Sequence, residues 1–271
     1  MSHLIANLPK VMSEVVKKGK VYEVGQHHAP GIPHHPNHPP FLYSLGRMHN
    51  DLPYGEGTTA ANDFIATGTH TGTHMDAIGH IACNGYIYGD IFADEHQEKT
   101  SGLKSHSIDT ATPVFRRGVM LDVATYMDVP HLEAGYGIGA EDLKGTIKKQ
   151  GVSIQEGDAV LIRTGWAKFF NQPRKYVSVV EGVPGVNMEG ARWLLDQGMG
   201  LAGGDTVAFE IQPAHTLPVH CLLLVENGIH IIELMNLEDP AKDKVYEFLF
   251  VCLPLRITGG TGSPVRPVAV I

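Results

Sequence analysis

Eleven residues, His70-Thr71-Gly72-Thr73-His74-Met75-Asp76-Ala77-Ile78-Gly79-His80, bring together three imidazoles and a carboxylate at spacings of four, two and four. These are metal-ligating side chains, and packing a core does not call for so many together. On a helix, His70 and His74 would share a face while Asp76 and His80 would point roughly the opposite way. On an extended chain all four project to one side. The run is therefore expected to be a strand, kinked at Gly72, that presents a row of ligands to one cavity.

One row seldom completes a site, and the best source of further donors is the stretch from Leu217 to Glu233. His220 precedes a run of leucines, and Glu233 sits inside an otherwise apolar strand. A buried glutamate is costly unless it is paired or coordinated. Taken singly, Glu233 has a strand end reaching solvent as its lesser alternative, whereas His220 reads better as a satisfied core histidine. Beside the first row, both are expected on a metal. His215, Asp205 and Gln212 are weaker candidates, and His230 is expected to face away from Glu233 in a structural or solvated role. His70, His74 and Asp76, joined by His220 and Glu233, suit Zn²⁺ or Mn²⁺, as one ion or two bridged by the aspartate. Such a centre lowers the pKa of bound water towards about 7, which supplies hydroxide and polarises a carbonyl. That is the chemistry of amide, lactam or ester hydrolysis. His80 is offset from the triad and is expected to be the catalytic group that moves the proton; a further ligand, or a group supporting the ligands, is the alternative.

Elements must hold these side chains in place. Leu4, Ile5, Leu8, Met12, Val15 and Val16 recur at helical spacing, which predicts an amphipathic N-terminal helix over 1–20, capped by Ser2 and closed near Gly19. Residues 26–40 carry five histidines among Pro30, Pro33, Pro36, Pro39 and Pro40, a density that forbids regular structure. A surface loop with incidental histidines is the favoured reading there, with a metal-binding tract or a lid as alternatives. Strands are expected over 41–47, 62–67, 118–123, 158–163, 199–202, 229–234, 248–257 and 264–270, and helices over 140–150 and 187–197, the latter capped by Asn187 and ended by Gly198. Strands outnumber helices and the two are mixed, so the class is α/β or α+β with mixed sheets. No linker or internal repeat divides residues 1–271, and one domain is expected.

Composition narrows the function. With a net charge of −8 and no basic stripe, a nucleic-acid partner is not expected. No apolar run reaches the length of a membrane span and no signal-peptide pattern opens the chain. Cys83, Cys221 and Cys252 are odd in number and far apart. They read as free, packed thiols of a cytoplasmic protein.

His70-x-Gly72-Thr73-His74-x-Asp76-x-x-x-His80 resembles the HxGTHxDxPxH signature of the cyclase-type metal-dependent hydrolases, the family of bacterial kynurenine formamidase and isatin hydrolase. The stretches 38–41, 117–123, 157–166 and 262–266 are similar to segments of that family. The resemblance implies an α/β swivelling β/β/α fold with mixed sheets, a homo-oligomer (dimer or tetramer), and metal on His70, His74 and Asp76. It makes His80 the catalytic histidine, and His220 and Glu233 the second ligand pair of the two-zinc formamidases. In isatin hydrolases a single Mn²⁺ sits on the first three, and the residue matching His220 contacts substrate. Ile78 stands where the signature has proline, and the chain is longer than a typical formamidase, closer to isatin hydrolase-like members.

The expectation is thus a hydrolase of an amide, lactam or lactone of a small, aromatic molecule. Phe41, Phe64 and Trp166 are candidate pocket aromatics, each more often core than contact. Two other classes remain: a lyase or oxygenase using the open positions of a His-His-carboxylate triad, and a metal-binding protein without turnover.

Overall fold

The structure, a computed structural model, describes residues 8–214 and 216–271. Its first helix, α1, spans Leu8–Val15. Strands β1 (Val21–Glu23), β2 (Leu42–Arg47), β3 (Asn62–Ala66), β4 (His74–Asp76) and β5 (Val114–Asp122) follow, then helix α2 (Ala140–Gln150) and β6 (Ala159–Arg163). Helix α3 (Met188–Asp196), β7 (Leu201–Gly204), β8 (Ile231–Glu233), β9 (Glu247–Cys252), β10 (Gly262–Pro264) and β11 (Val268–Val270) complete the main elements.

Nine of these strands form one mixed sheet in the order β1-β11-β9-β5-β6-β7-β8-β4-β10. The central four, β5 to β8, are parallel, and antiparallel strands flank them on both sides. Parallel strands covered on both faces read as continuous apolar runs, which is the pattern of 119–121 and 159–162. Their alternate residues divide two cores. Val119, Leu121, Val160 and Ile162 pack with Leu143, Ala191 and Leu194 of the helices. Met120 and Leu161 pack with Met75, Ile232, Phe248 and Phe250 on the other face. This is the expected α/β architecture with a large mixed sheet.

Helix α2 has the predicted bounds. The Asp142 carboxylate accepts the Gly139 N–H at 3.0 Å, and Gly151 closes the helix at φ 69°. In α3 the Asn187 Oδ1 accepts the Gly190 N–H at 2.9 Å, the cap read from the sequence.

Several expectations change. The N-terminal helix ends at Val15, not near Gly19, while Ser2, Leu4 and Ile5 lie outside the described residues. The strand expected over 248–257 stops at Cys252, and the one expected over 199–202 runs Leu201–Gly204. The leucines after His220, for which the sequence predicts no element, lie in a π-helical stretch, Cys221–Glu226, that continues a short helix, Pro218–His220. Cys83 and Cys221 are joined in a disulfide; only Cys252 is a free, buried thiol. The expectation of three free thiols fails because sequence separation says nothing of the 6.0 Å between the two Cα atoms. With it goes the cysteine argument for a reducing compartment. Among the described residues no helix is long and apolar enough to cross a membrane.

Candidate metal centre

The ligand row is not one continuous strand. His70 and Gly72 lie in a tight turn, only His74–Asp76 is extended, and His80 ends a 3-10 turn over Ile78–His80. Gly72 provides the expected kink at φ +71°, a backbone state that costs a residue with a Cβ. His70, His74 and Asp76 nevertheless converge, with one donor atom from each within 4.8 Å of the others. A turn followed by a short strand brings them closer than an extended row would.

Sheet pairing supplies the second group. Strand β8 runs antiparallel to β4 and sets Glu233 opposite His74. On the other side β10 sets Gly262 opposite Asp76, where a Cβ would lie 2.7 Å from Cε1 of His70. Asp76, His220 and Glu233 form a further cluster within 4.8 Å. All five donors are buried, so Glu233 is not a strand end reaching solvent.

Hydrogen bonds orient these donors. Thr261 Oγ1 lies 2.9 Å from Nε2 of His70, which leaves Nδ1 facing Asp76 Oδ1 at 2.8 Å. His74 Nδ1 donates to the Gly72 carbonyl at 2.9 Å, so Nε2 looks into the site, 3.3 Å from Asp76 Oδ1 and 3.6 Å from Glu233 Oε2. His220 rests its Nδ1 on Glu210 and turns Nε2 to Glu233 Oε1 at 3.1 Å and Asp76 Oδ2 at 3.9 Å. Asp76 thus offers one oxygen to each cluster. Imidazoles whose far nitrogen is tied to a hydroxyl, a carbonyl or a carboxylate, with carboxylates between them, match the donor chemistry of a divalent metal centre.

The electrostatics agree. Burial opposes ionisation of Asp76, yet His80, His70 and His74 hold its carboxyl well below the usual range. Burial also works against a proton on His220, but hydrogen bonds to Glu210 and Glu233 raise its pKa well above the ordinary value. In His80 burial wins and pushes the imidazole down to about 3. Its ring stacks on His70 at a centroid distance of 4.0 Å. A neutral His80 carries a lone pair beside the donors.

Backbone strain marks the second group. Leu217 (φ 47°) precedes the turn carrying His220, and Leu234 (φ 52°) follows Glu233. Left-handed leucines are outliers held only where the surroundings demand them. Ile78, in the place of the signature's proline, is the first residue of its turn, where proline is also at home. Its N–H has no partner among the described residues, so the substitution leaves the turn intact.

The weaker candidates stand apart. Asp205 accepts from the N–H groups of Thr164 and Gly165, and Gln212 accepts from Ala214 N. His215 lies outside the described residues. His230 Nδ1 bonds the Asp76 carbonyl at 2.7 Å, a structural role. Trp166 and Phe41 are buried and Phe64 is exposed. Two residues escaped the sequence reading, Glu210 and Thr261, and a third, His38, reads there only as an incidental histidine of its loop. Glu210 lies in irregular chain with no periodicity to mark it; Thr261 is one threonine of many. His38 stacks on His70 at 4.9 Å, so this histidine of the proline-rich loop is not incidental. Burial lowers the pKa of its neighbour His35, with the charge of Glu233 acting in the opposite direction.

Comparison with known proteins places this geometry in context. The family model described as a putative cyclase matches residues 17–211, more than half of the chain. A kynurenine formamidase of Erythrobacter litoralis is 26% identical over 260 residues, covering 95% of this chain and 96% of its own. An isatin hydrolase of Roseibium aggregatum is 25% identical over 229 residues, covering 80% and 77% respectively. A crystal structure described as a novel cyclase superposes with a TM-score of 0.90 at 25% identity, covering 99% of this chain and 94% of that one. The chain belongs to the cyclase family.

Proposed function

We propose that this protein is a metal-dependent hydrolase that opens the C–N bond of a small, aromatic amide or lactam, with a lactone ester as the related alternative. The observation that carries the reading is Asp76, whose two oxygens serve two donor clusters with neutral His80 beside them. Relatives named kynurenine formamidase and isatin hydrolase support the substrate class.

His70, His74 and Asp76 would hold one Zn²⁺ or Mn²⁺, and Asp76, His220 and Glu233 would hold a second. When bound, the cation supplies Lewis acidity towards a carbonyl and acidifies a water. Thr261, Gly72 and Glu210 hold the far nitrogens of the three imidazoles and so orient their rings. Their burial keeps bulk water out. A ring nitrogen of His80 takes the proton of the attacking water and returns it to the departing nitrogen.

A homo-oligomer, dimer or tetramer, belongs to this reading. The β2–β3 arm leaves Leu42, Tyr43, Leu45, Phe64 and Ile65 open to solvent, apolar side chains that a second copy of the chain would cover.

Elemental analysis of the purified protein tests the metal. Screening N-formyl arylamines, isatin and small lactones with the metal restored tests the reaction. Hydrolysis that stops on chelation and returns with Zn²⁺ or Mn²⁺ supports the reading. Fe²⁺ dependence with O₂ consumption and no hydrolysis replaces it with an oxygenase.

A further inference from the structure

The proline-rich strap over residues 26–40 has no part in the chemistry above, yet it is pinned to the donor-bearing turn. Gln26 N donates to Thr73 Oγ1 at 2.8 Å, and Thr71 Oγ1 donates to the Pro39 carbonyl at 2.7 Å. His28 Nε2 lies 3.2 Å from the Thr71 carbonyl. At the tip, His38 N donates to the His35 carbonyl at 2.9 Å and closes a turn. Proline fixes φ on either side of that turn, so the strap holds its shape without sheet or helix bonds.

These constraints hold one imidazole against the centre. The His38 ring stacks on His70 at 4.9 Å with planes 27° apart, and its centroid is 6.5 Å from that of His80. Among the described residues, three imidazoles touch His70: His38, His74 and His80. His74 is tied to the Gly72 carbonyl. Among the described residues, the ring nitrogens of His38 and His80 have no hydrogen-bond partner. His80 already has a task in the proton transfer. His38 is half-buried, held from behind, and keeps its polar atoms open. A side chain whose ordering is already complete loses little entropy when a ligand arrives.

We propose that His38 is a substrate-contacting residue that donates a ring N–H to an oxygen of the substrate's acyl group. The identity of that substrate rests on the hydrolase reading, whereas the contact itself requires only an acyl ligand at the centre.

The test uses the zinc-loaded full chain and benzohydroxamate, an aryl acyl probe that needs no turnover. His38→Phe keeps a ring against His70 and removes both nitrogens; His38→Gln keeps a donor. Zinc content is expected to match the wild type in both. The benzohydroxamate dissociation constant is expected to rise about tenfold in the Phe variant, the worth of one hydrogen bond, and to recover in the Gln variant. On any substrate found by screening, the Phe variant should lose kcat/KM chiefly through KM. Equal benzohydroxamate affinity in the wild type and the Phe variant would overturn the proposal. So would loss of zinc from the Phe variant, which would make the ring a mere prop for His70. If the wild type hydrolyses none of the screened compounds but the affinity difference persists, the hydrolase reading falls and the contact stands.

Discussion

The Glu210 carboxylate lies against Nδ1 of His220 and also accepts the backbone N–H of that same residue at 3.1 Å. Both bonds fix one imidazole, because the first orients the ring and the second anchors the turn that carries it. Val219 N adds a third bond at 3.3 Å. Glu210→Ala is expected to weaken metal binding by about 10–100-fold, the usual effect of removing a carboxylate behind a ligating histidine. Competition with a chromophoric chelator measures this, and unchanged affinity would show that His220 takes no part in holding the ion.

Asp76 belongs to both donor clusters, whereas His70 belongs to the first alone and Glu233 to the second alone. Asp76→Asn should therefore abolish bound metal altogether. His70→Ala and Glu233→Gln should each spare the other cluster. Metal stoichiometry by mass spectrometry separates these outcomes. Equal loss in all three variants would mean a single ion held by all five side chains.

His80→Ala removes the proposed proton carrier without removing a donor from either cluster. Metal content should stay at the wild-type level while turnover falls about 10²–10⁴-fold. A variant that loses its metal instead would make His80 a ligand.

The Cys83–Cys221 bridge spans 138 residues of sequence and ties the segment after His80 to the segment after His220. Cys83→Ser should lower stability by about 2–4 kcal/mol, read by urea denaturation. Denatured protein should titrate one free thiol before reduction and three afterwards.

Burial pushes the Asp205 carboxyl up to about 6, although Thr164 donates to it. Unfolded, an aspartate titrates near about 3.9. Between those values the folded state keeps a proton that the unfolded state has lost, so stability falls as pH rises from about 4 to about 6. Asp205→Asn cannot titrate, and the difference in Tm between wild type and variant should shrink as pH rises across that window. A difference that grows would mean that the donors around Asp205, not its burial, set its charge.

Much of this protein was legible one residue at a time. The donors His70, His74 and Asp76 sit within seven residues of each other, and helix α2 and the Asn187 cap follow from local spacing and capping chemistry. His220 and Glu233 could be nominated, because a carboxylate in an apolar strand is out of place without a partner. Tertiary structure alone decided the rest. The β8–β4 register brings Glu233 to His74, and an irregular segment delivers Glu210 to His220. Residues distant in the chain likewise supply Thr261 to His70, Cys221 to Cys83, and His38 to the donor turn. Periodicity and caps act within a few residues, so they write themselves into the sequence. A contact between distant residues leaves no local pattern, because its geometry exists only once the sheet has set the register of its strands.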